Sequence, residues 1–190
     1  MEPHQIEIET PRLKLVAPQT NMAQPMLDFV TKNKSFFEPW IPTTTDSYFT
    51  LGFQLEKLEN DLAEVKEKRC VRLLVFEKED TENETLVGDI AFGNIVWGPF
   101  LSCFVGYKFD EAHTGKGYAT EALQHAIDFV FNELELHRIE ANIIPRNKAS
   151  IAVVERLNFE NEGLGKKYLK INGVWEDHFH FVLRNSDLEN

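Results

Sequence analysis

Cysteine, positive charge and long apolar runs are all scarce in this sequence, and each shortage closes off a class of function. Cys70 and Cys103 are the only cysteines. They are too few and too isolated for a disulfide framework or a zinc site, so each is expected as a buried thiol within a strand. A formal net charge of −11 argues against general nucleic-acid binding, which needs a positive surface to displace counterions from phosphates. An acidic surface suits cationic partners such as free amines, although solubility alone would also account for it. No apolar run reaches the roughly 20 residues of a membrane span. The start Met1-Glu2-Pro3-His4-Gln5-Ile6-Glu7 has neither the basic opening nor the apolar stretch of a signal peptide. A cytoplasmic chain with no membrane partner is therefore expected. Internal repeats, low-complexity tracts and linkers are missing too. The P-loop signature fails because Gly117 is followed by Tyr118 and Ala119, and a dinucleotide fingerprint would not sit mid-chain after a run of strands.

What is present suffices for one globular domain over residues 1–190, with 43% hydrophobic residues and 15 phenylalanines to form its core. After a polar tail, Arg12-Leu13-Lys14-Leu15-Val16 alternates as a first strand. Thr20-Asn21 can cap a helix that turns Met22, Met26, Phe29 and Val30 inward. Two prolines and three aromatics in residues 35–42 predict a loop packed by its own side chains. There Trp40 reads either as a plug over the core or as one wall of a cleft. Residues 47–68 predict a long amphipathic helix with Phe49, Phe53, Leu55, Leu58, Leu62 and Val65 inward. A three-strand meander follows: residues 71–76, an acidic hairpin loop, residues 86–97 with bulge or turn points at Gly88 and Gly93, then residues 100–109. Beyond it, Ala119, Ala122, Leu123, Ala126, Ile127, Val130, Phe131 and Leu134 form one helical stripe. Residues 138–144 predict a strand parallel to the one before that helix, joined to it by a right-handed crossover. A helix over residues 148–157 with Ala149, Ala152, Val153 and Leu157 inward comes next. Two strands flanking Asn172-Gly173 end the chain as a hairpin.

The stretch Thr114-Gly115-Lys116-Gly117-Tyr118-Ala119 carries the chemistry. A strand runs into a glycine-rich turn and then a helix, so backbone can approach a ligand closely while unpaired N–H groups and the helix dipole point at the same place. That combination is an anion site, best suited to phosphate.

Strand, Gly-Lys-Gly-Tyr-Ala-Thr-Glu-Ala, helix, strand, then Asn147-Lys148-Ala149-Ser150 and Leu157-Asn158-Phe159-Glu160-Asn161-Glu162-Gly163 is a succession that resembles the GNAT N-acetyltransferase superfamily. In particular it resembles the RimJ/RimL-type branch of ribosomal-protein N-terminal acetyltransferases. Glu38-Pro39-Trp40-Ile41-Pro42 is similar to a Pro-Trp-Leu-Pro stretch of that branch. The resemblance implies an α/β (α+β) GNAT fold, a central mixed sheet of about seven strands with helices on both faces, splayed between the fourth and fifth strands. It implies acetyl-CoA as co-substrate and no metal. The pyrophosphate would lie on backbone N–H groups of Thr114, Gly115, Lys116, Gly117, Tyr118 and Ala119, with the Lys116 side chain at most an outer contact. The pantetheine arm would run beside Tyr107, Lys108 and Phe109. Asn147 would touch the cofactor, unless it only caps its helix, and Trp40 would line the acceptor cleft.

Departures from the family pattern bear on catalysis. Ala112 stands where Gln or Arg is usual, Asn158 replaces a glycine, and Val154 replaces the tyrosine that often serves as acid. Ser150 matches the serine thought to protonate the leaving thiolate, but the glutamate assigned as base falls on Leu169. The nearest replacements are Glu176, His178 and His180 on one face of the last strand, with His178 the candidate catalytic base. As a pair, the histidines also have metal spacing, or are simply a core-edge pair. A weak base suits an α-amine, roughly 10 to 20% neutral at pH 7, better than a lysine, neutral at only ~0.04%. The expected reaction is therefore direct acetyl transfer to a primary amine, foremost a protein N-terminus of ribosomal type. A polyamine or antibiotic acceptor, a non-catalytic acyl-CoA-binding module and a homodimeric assembly stay open.

Overall fold

The computed structural model describes residues 6–189. Eight strands form one sheet in the order β1-β2-β3-β4-β5-β6-β8-β7: β1 Glu7–Glu9, β2 Leu13–Val16, β3 Val71–Glu77, β4 Leu86–Val96, β5 Ser102–Phe109, β6 Arg138–Ile143, β7 Glu160–Ile171 and β8 Val174–Arg184. The helices are α1 Ala23–Lys32, α2 Lys34–Phe37, α3 Leu51–Lys66, α4 Tyr118–Glu133 and α5 Lys148–Arg156. β3 reads almost continuously apolar because both its faces are covered. Val71, Leu73 and Val75 enter the core beneath α4 and α5, while Leu74 and Phe76 enter a second core with Met26, Phe29 and Val30 of α1 and Leu58 of α3.

The mixed character of the sheet rests on one junction. β5 and β6 are parallel and pair only over Ser102, Phe104 and their partners Arg138 and Glu140, with Cys103 and Ile139 between. Past that point β5 stays bonded to β4 as far as the Phe109 and Gly88 pair. β6 stays bonded to β8 as far as the Ile143 and Phe179 pair. Each strand is anchored on its outer flank, so a slot opens between them, as expected for the fourth and fifth strands of the sequence-based count.

Several expectations need correction. The sheet has eight strands, because Glu7–Glu9, read as polar tail, pairs with β2 through Ile8 and Leu15; three residues alternate too briefly to register as a strand. The Pro-Trp segment is α2 followed by a 3-10 turn, Glu38–Trp40, since Pro39 sits at a helical start where no N–H is required. The long helix begins only at Leu51, where Thr50 Oγ1 accepts the Phe53 N–H at 3.3 Å. Phe53 and Leu55 of that helix remain 37% exposed, while Gln54, Leu58 and Val65 take the inward positions. In α5 the core residue is Val154; Ala149, Ala152 and Val153 line the slot instead. Cys70 lies just before β3 and is half-buried, whereas Cys103 is buried within β5. Burial pushes their thiols up to about 11 and about 12, which leaves both as inert thiols. The Asn172-Gly173 hairpin is present, with φ of 46° and 81°, and β4 is irregular near both Gly88 and Gly93.

Gly88 has a packing reason. A Cβ there would lie 2.5 Å from the Phe109 ring, so the absent side chain is what lets Phe109 close the end of β5. Gly88→Ala should cost about 1–3 kcal/mol by overpacking. In urea unfolding, Gly88→Ala combined with Phe109→Leu should lose clearly less than the sum of the two single changes.

Candidate active site

A cavity of about 1340 Å³ runs along the slot from the turn before α4 to the loop containing Trp40. It is large enough for a nucleotide-sized ligand together with an acceptor. At one end, Gly115 and Gly117 adopt φ of 74° and 80°, left-handed values that side chains resist. The turn they create aims the backbone N–H groups of residues 115–120 outward, and none of these has a backbone acceptor among the described residues. With the positive end of the α4 dipole behind them, they form an anion cradle.

The cradle is braced from the start of the chain. Arg12 Nη1 donates to the Lys116 carbonyl at 2.9 Å, and its Nε and Nη2 both hold Glu121 Oε2 at 2.6 Å. Thr10 Oγ1 and the Arg12 N–H complete the grip on Glu121 Oε1. Burial would raise the Glu121 carboxyl, but these hydrogen bonds outweigh it and hold it below the usual carboxylate range. The Arg12 guanidinium also lies 4.8 Å from the centre of the Tyr118 ring, and Tyr118 Oη donates to Glu77 at 2.7 Å. Neither Arg12 nor Glu121 is singled out by sequence reasoning. Glu121 stands inside the motif, but Arg12 is a lone residue more than a hundred positions away.

Along the slot, alternation sends neighbouring side chains of β5 to opposite faces. Tyr107 turns toward α5, where its hydroxyl donates to the Ser150 carbonyl at 3.1 Å; burial pushes that phenol well up, so it stays protonated. Lys108 turns the other way, toward Asp89 and Phe37. Asn147 caps α5, its Oδ1 accepting the Ser150 N–H at 3.1 Å. Ser150 lines the cavity.

The opposite face forms the second half of the cavity. Trp40 stands in its wall beside Phe36, Phe37 and Ile41, with the Arg146 guanidinium 4.8 Å from its ring centre. Arg146 Nη2 donates to the Pro39 carbonyl at 2.9 Å and to Glu176 at 3.0 Å, and Asn172 Nδ2 donates to the Glu38 carbonyl at 2.5 Å. These contacts tie the aromatic loop to the β7–β8 hairpin. Leu169 pairs directly with Glu176 across that hairpin, so a carboxylate is kept at this level of the ladder, but on the other strand and in the grip of Arg146.

His178 is 3% exposed and lines the cavity. Burial lowers its pKa from the ordinary histidine value, so its imidazole is neutral at pH 7. Its Nδ1 lies 3.1 Å from the Glu176 carbonyl; an oxygen that can only accept fixes the proton on Nδ1 and leaves Nε2 as the basic atom. His180 turns to Glu140 at 2.9 Å, so the two rings do not converge on one point as metal ligands would. The buried Asp89 is held by Arg72 at 2.5 Å. Burial would raise its carboxyl, but the Arg72 and Lys108 charges win and hold it at about 2.

The cavity thus brings together Trp40, Tyr107, Lys108, Phe109, Thr114, Gly115, Gly117, Tyr118, Ala119, Asn147, Ser150 and His178. Of the residues expected there, Lys116 is the exception: its ammonium lies 5.9 Å from the Tyr118 ring centre, off the cavity wall. Arg72, Asp89, Arg146 and Asn142 are wall or rim residues that the sequence does not announce, because their roles depend on which strands become neighbours.

Known proteins are similar to this chain in sequence and fold. The acetyltransferase (GNAT) domain family matches residues 12–160. The probable N-acetyltransferase YjcK of Bacillus subtilis (strain 168) is 36% identical over 167 residues, covering 88% of this chain and 91% of that protein. The [ribosomal protein uS5]-alanine N-acetyltransferase of Escherichia coli (strain K12) is 32% identical over 184 residues, covering 96% and 92%. The solved structure of Mycobacterium smegmatis RimJ in complex with CoA-disulfide superposes with a TM-score of 0.88 at 27% identity, covering all of this chain and 93% of that one. With a phosphate cradle, a splayed parallel pair and a family match over most of its length, the chain belongs to the GNAT acetyltransferases, in their RimJ/RimL-type branch, and is an acetyl-CoA-dependent N-acetyltransferase.

Proposed function

We propose that the acceptor is a protein N-terminal α-amine, of the kind a ribosomal protein presents in the cytoplasm. The observation that carries this reading is the state of the bases in the cavity wall. Asp89 and Glu121 are tied to cations and depressed, and Leu169 occupies the place of the family's glutamate. The base left in the wall of the acceptor half is the neutral His178, whose Nε2 is the basic atom. One imidazole is sufficient for an amine that is already roughly 10 to 20% neutral at pH 7, and a poor match for a lysine. The E. coli relative, which acts on an alanine of ribosomal protein uS5, supports the same class of acceptor.

Acetyl-CoA supplies the activated acyl group, and the residues present fit it. The free N–H groups of residues 115–120 suit the pyrophosphate, and the edge of β5 beyond Phe104 offers unpaired peptide groups to the amides of the pantetheine arm. The acceptor amine attacks the thioester carbon directly, since no wall residue has the geometry of an activated nucleophile. His178 Nε2 takes a proton from the amine as the new C–N bond forms. The Ser150 hydroxyl hands a proton to the departing sulfur, its helix held by Asn147 and Tyr107. An N–H on the β5 edge polarises the thioester carbonyl.

Three measurements test this. Peptides with free and blocked N-termini should differ sharply, with acetylation confined to the free form; equal rates on lysine-bearing blocked peptides would sink the α-amine reading, and exclusive turnover of polyamines would favour the small-amine alternative. His178→Gln should lower kcat about 100-fold. The wild-type kcat should fall on acidification only below the ordinary histidine value of about 6.5, because protonated imidazole cannot accept a proton and burial depresses its pKa; the variant should lack that limb. In calorimetric titration with CoA, Gly117→Val should abolish binding through its positive φ, while Lys116→Ala should weaken it only about threefold.

A further inference from the structure

The acceptor half of the cavity has a charge asymmetry that the reaction itself does not require. On the β3–β5 side, Lys108 lies 3.6 Å from Asp89, Arg72 lies 2.5 Å from Asp89 and 3.3 Å from Asp61, and Lys57 lies 2.7 Å from Asp61. Three cations face two carboxylates, leaving one positive charge over in a protein whose net charge is −11. That surplus falls on Lys108. Arg72 and Lys57 each make a short contact to a carboxylate, whereas the polar partners of the Lys108 ammonium among the described residues are Asp89 at 3.6 Å and the Tyr48 hydroxyl at 3.5 Å, both at or beyond the limit of a useful hydrogen bond. Its donors are therefore available at the cavity wall, and the neighbouring Phe36, Phe37 and Ile41 keep water from screening the charge. Across the slot, Asn142 and His178 of β6 and β8 line the cavity on this same face, and Asn142 Oδ1, buried with no partner among the described residues, suits the hydrogen-rich end of an amine.

We infer that Lys108 reads an anionic group on the acceptor, so that the preferred substrate is an N-terminus whose first or second residue is acidic. The inference rests on the α-amine reading and adds a specificity to it. Lys108 lies on the open stretch of β5, four residues beyond Phe104, the last residue paired with β6. A side-chain carboxylate on residue one or two of a peptide lies within roughly 7 Å of its terminal nitrogen, so an anion read by Lys108 would set that amine on the same open stretch of β5. Lys108 is a positioning residue here: it orients the acceptor and takes no part in proton transfer.

The test is kcat/KM on matched peptides that carry Asp or Asn, at position one and at position two, in otherwise identical sequences. The wild-type enzyme should prefer Asp over Asn by about tenfold at one of the two positions. Lys108→Met should bring that ratio close to one, and Lys108→Arg should keep it. The ratio is insensitive to a general loss of activity or folded fraction, because both peptides meet the same enzyme. A wild-type ratio near one at both positions, or a ratio unchanged in Lys108→Met, overturns the inference and leaves the α-amine reading standing. Failure to acetylate any free N-terminus while CoA still binds overturns both.

Discussion

Everything in this molecule depends on a parallel ladder that stops after three residue pairs. A strand edge without a partner is normally a liability, because its N–H and C=O groups must be satisfied somewhere. Here β5 and β6 each keep a full antiparallel partner on the outer flank, so the sheet survives the break and the exposed peptide edge becomes a binding surface. One core spans both halves of the sheet, while the second lies on the opposite face of β2, β3 and β4. The unfinished ladder creates the need, and an extended ligand with amides of its own meets it.

A second constraint is electrostatic. A chain of net charge −11 must hold a polyanionic cofactor, and it does so without building a large basic surface. Positive potential comes from fixed backbone dipoles at the head of α4, braced by one exposed arginine, Arg12. Dipoles carry no net charge, so they can be concentrated at one place without altering the acidity of the rest of the surface.

Much of this was legible in the sequence. The α4 stripe, the meander, the parallel crossover and the Asn-Gly hairpin follow from local periodicity and turn chemistry, and the fold follows them. The phosphate turn was legible because glycine spacing is itself the mechanism. What escaped is what depends on tertiary neighbours. In α5, periodicity finds an apolar face but cannot say that Ala149 and Val153 look into a slot while Val154 meets the core. In α3, Leu55 lies on the periodic stripe and still faces outward. Arg12, Arg72, Asp89 and Arg146 acquire their roles from residues remote in the chain, so no window along the sequence contains the relevant pair. The displacement of a carboxylate from position 169 to Glu176 shows only when the register of β7 and β8 is known.

The contacts of Arg146 with Pro39 and of Asn172 with Glu38 have a topological side. They join the two halves of the sheet a second time, at the end remote from the short ladder, and so turn what would be an open trough into a ring. A ring is entered by threading. The free end of a polypeptide can pass into it from one mouth, whereas a loop, whose chain continues in both directions, would have to double back or break a link. On the proposed reading of an N-terminal acceptor, such an enclosure would sort acceptors by connectivity before any side chain tests their chemistry.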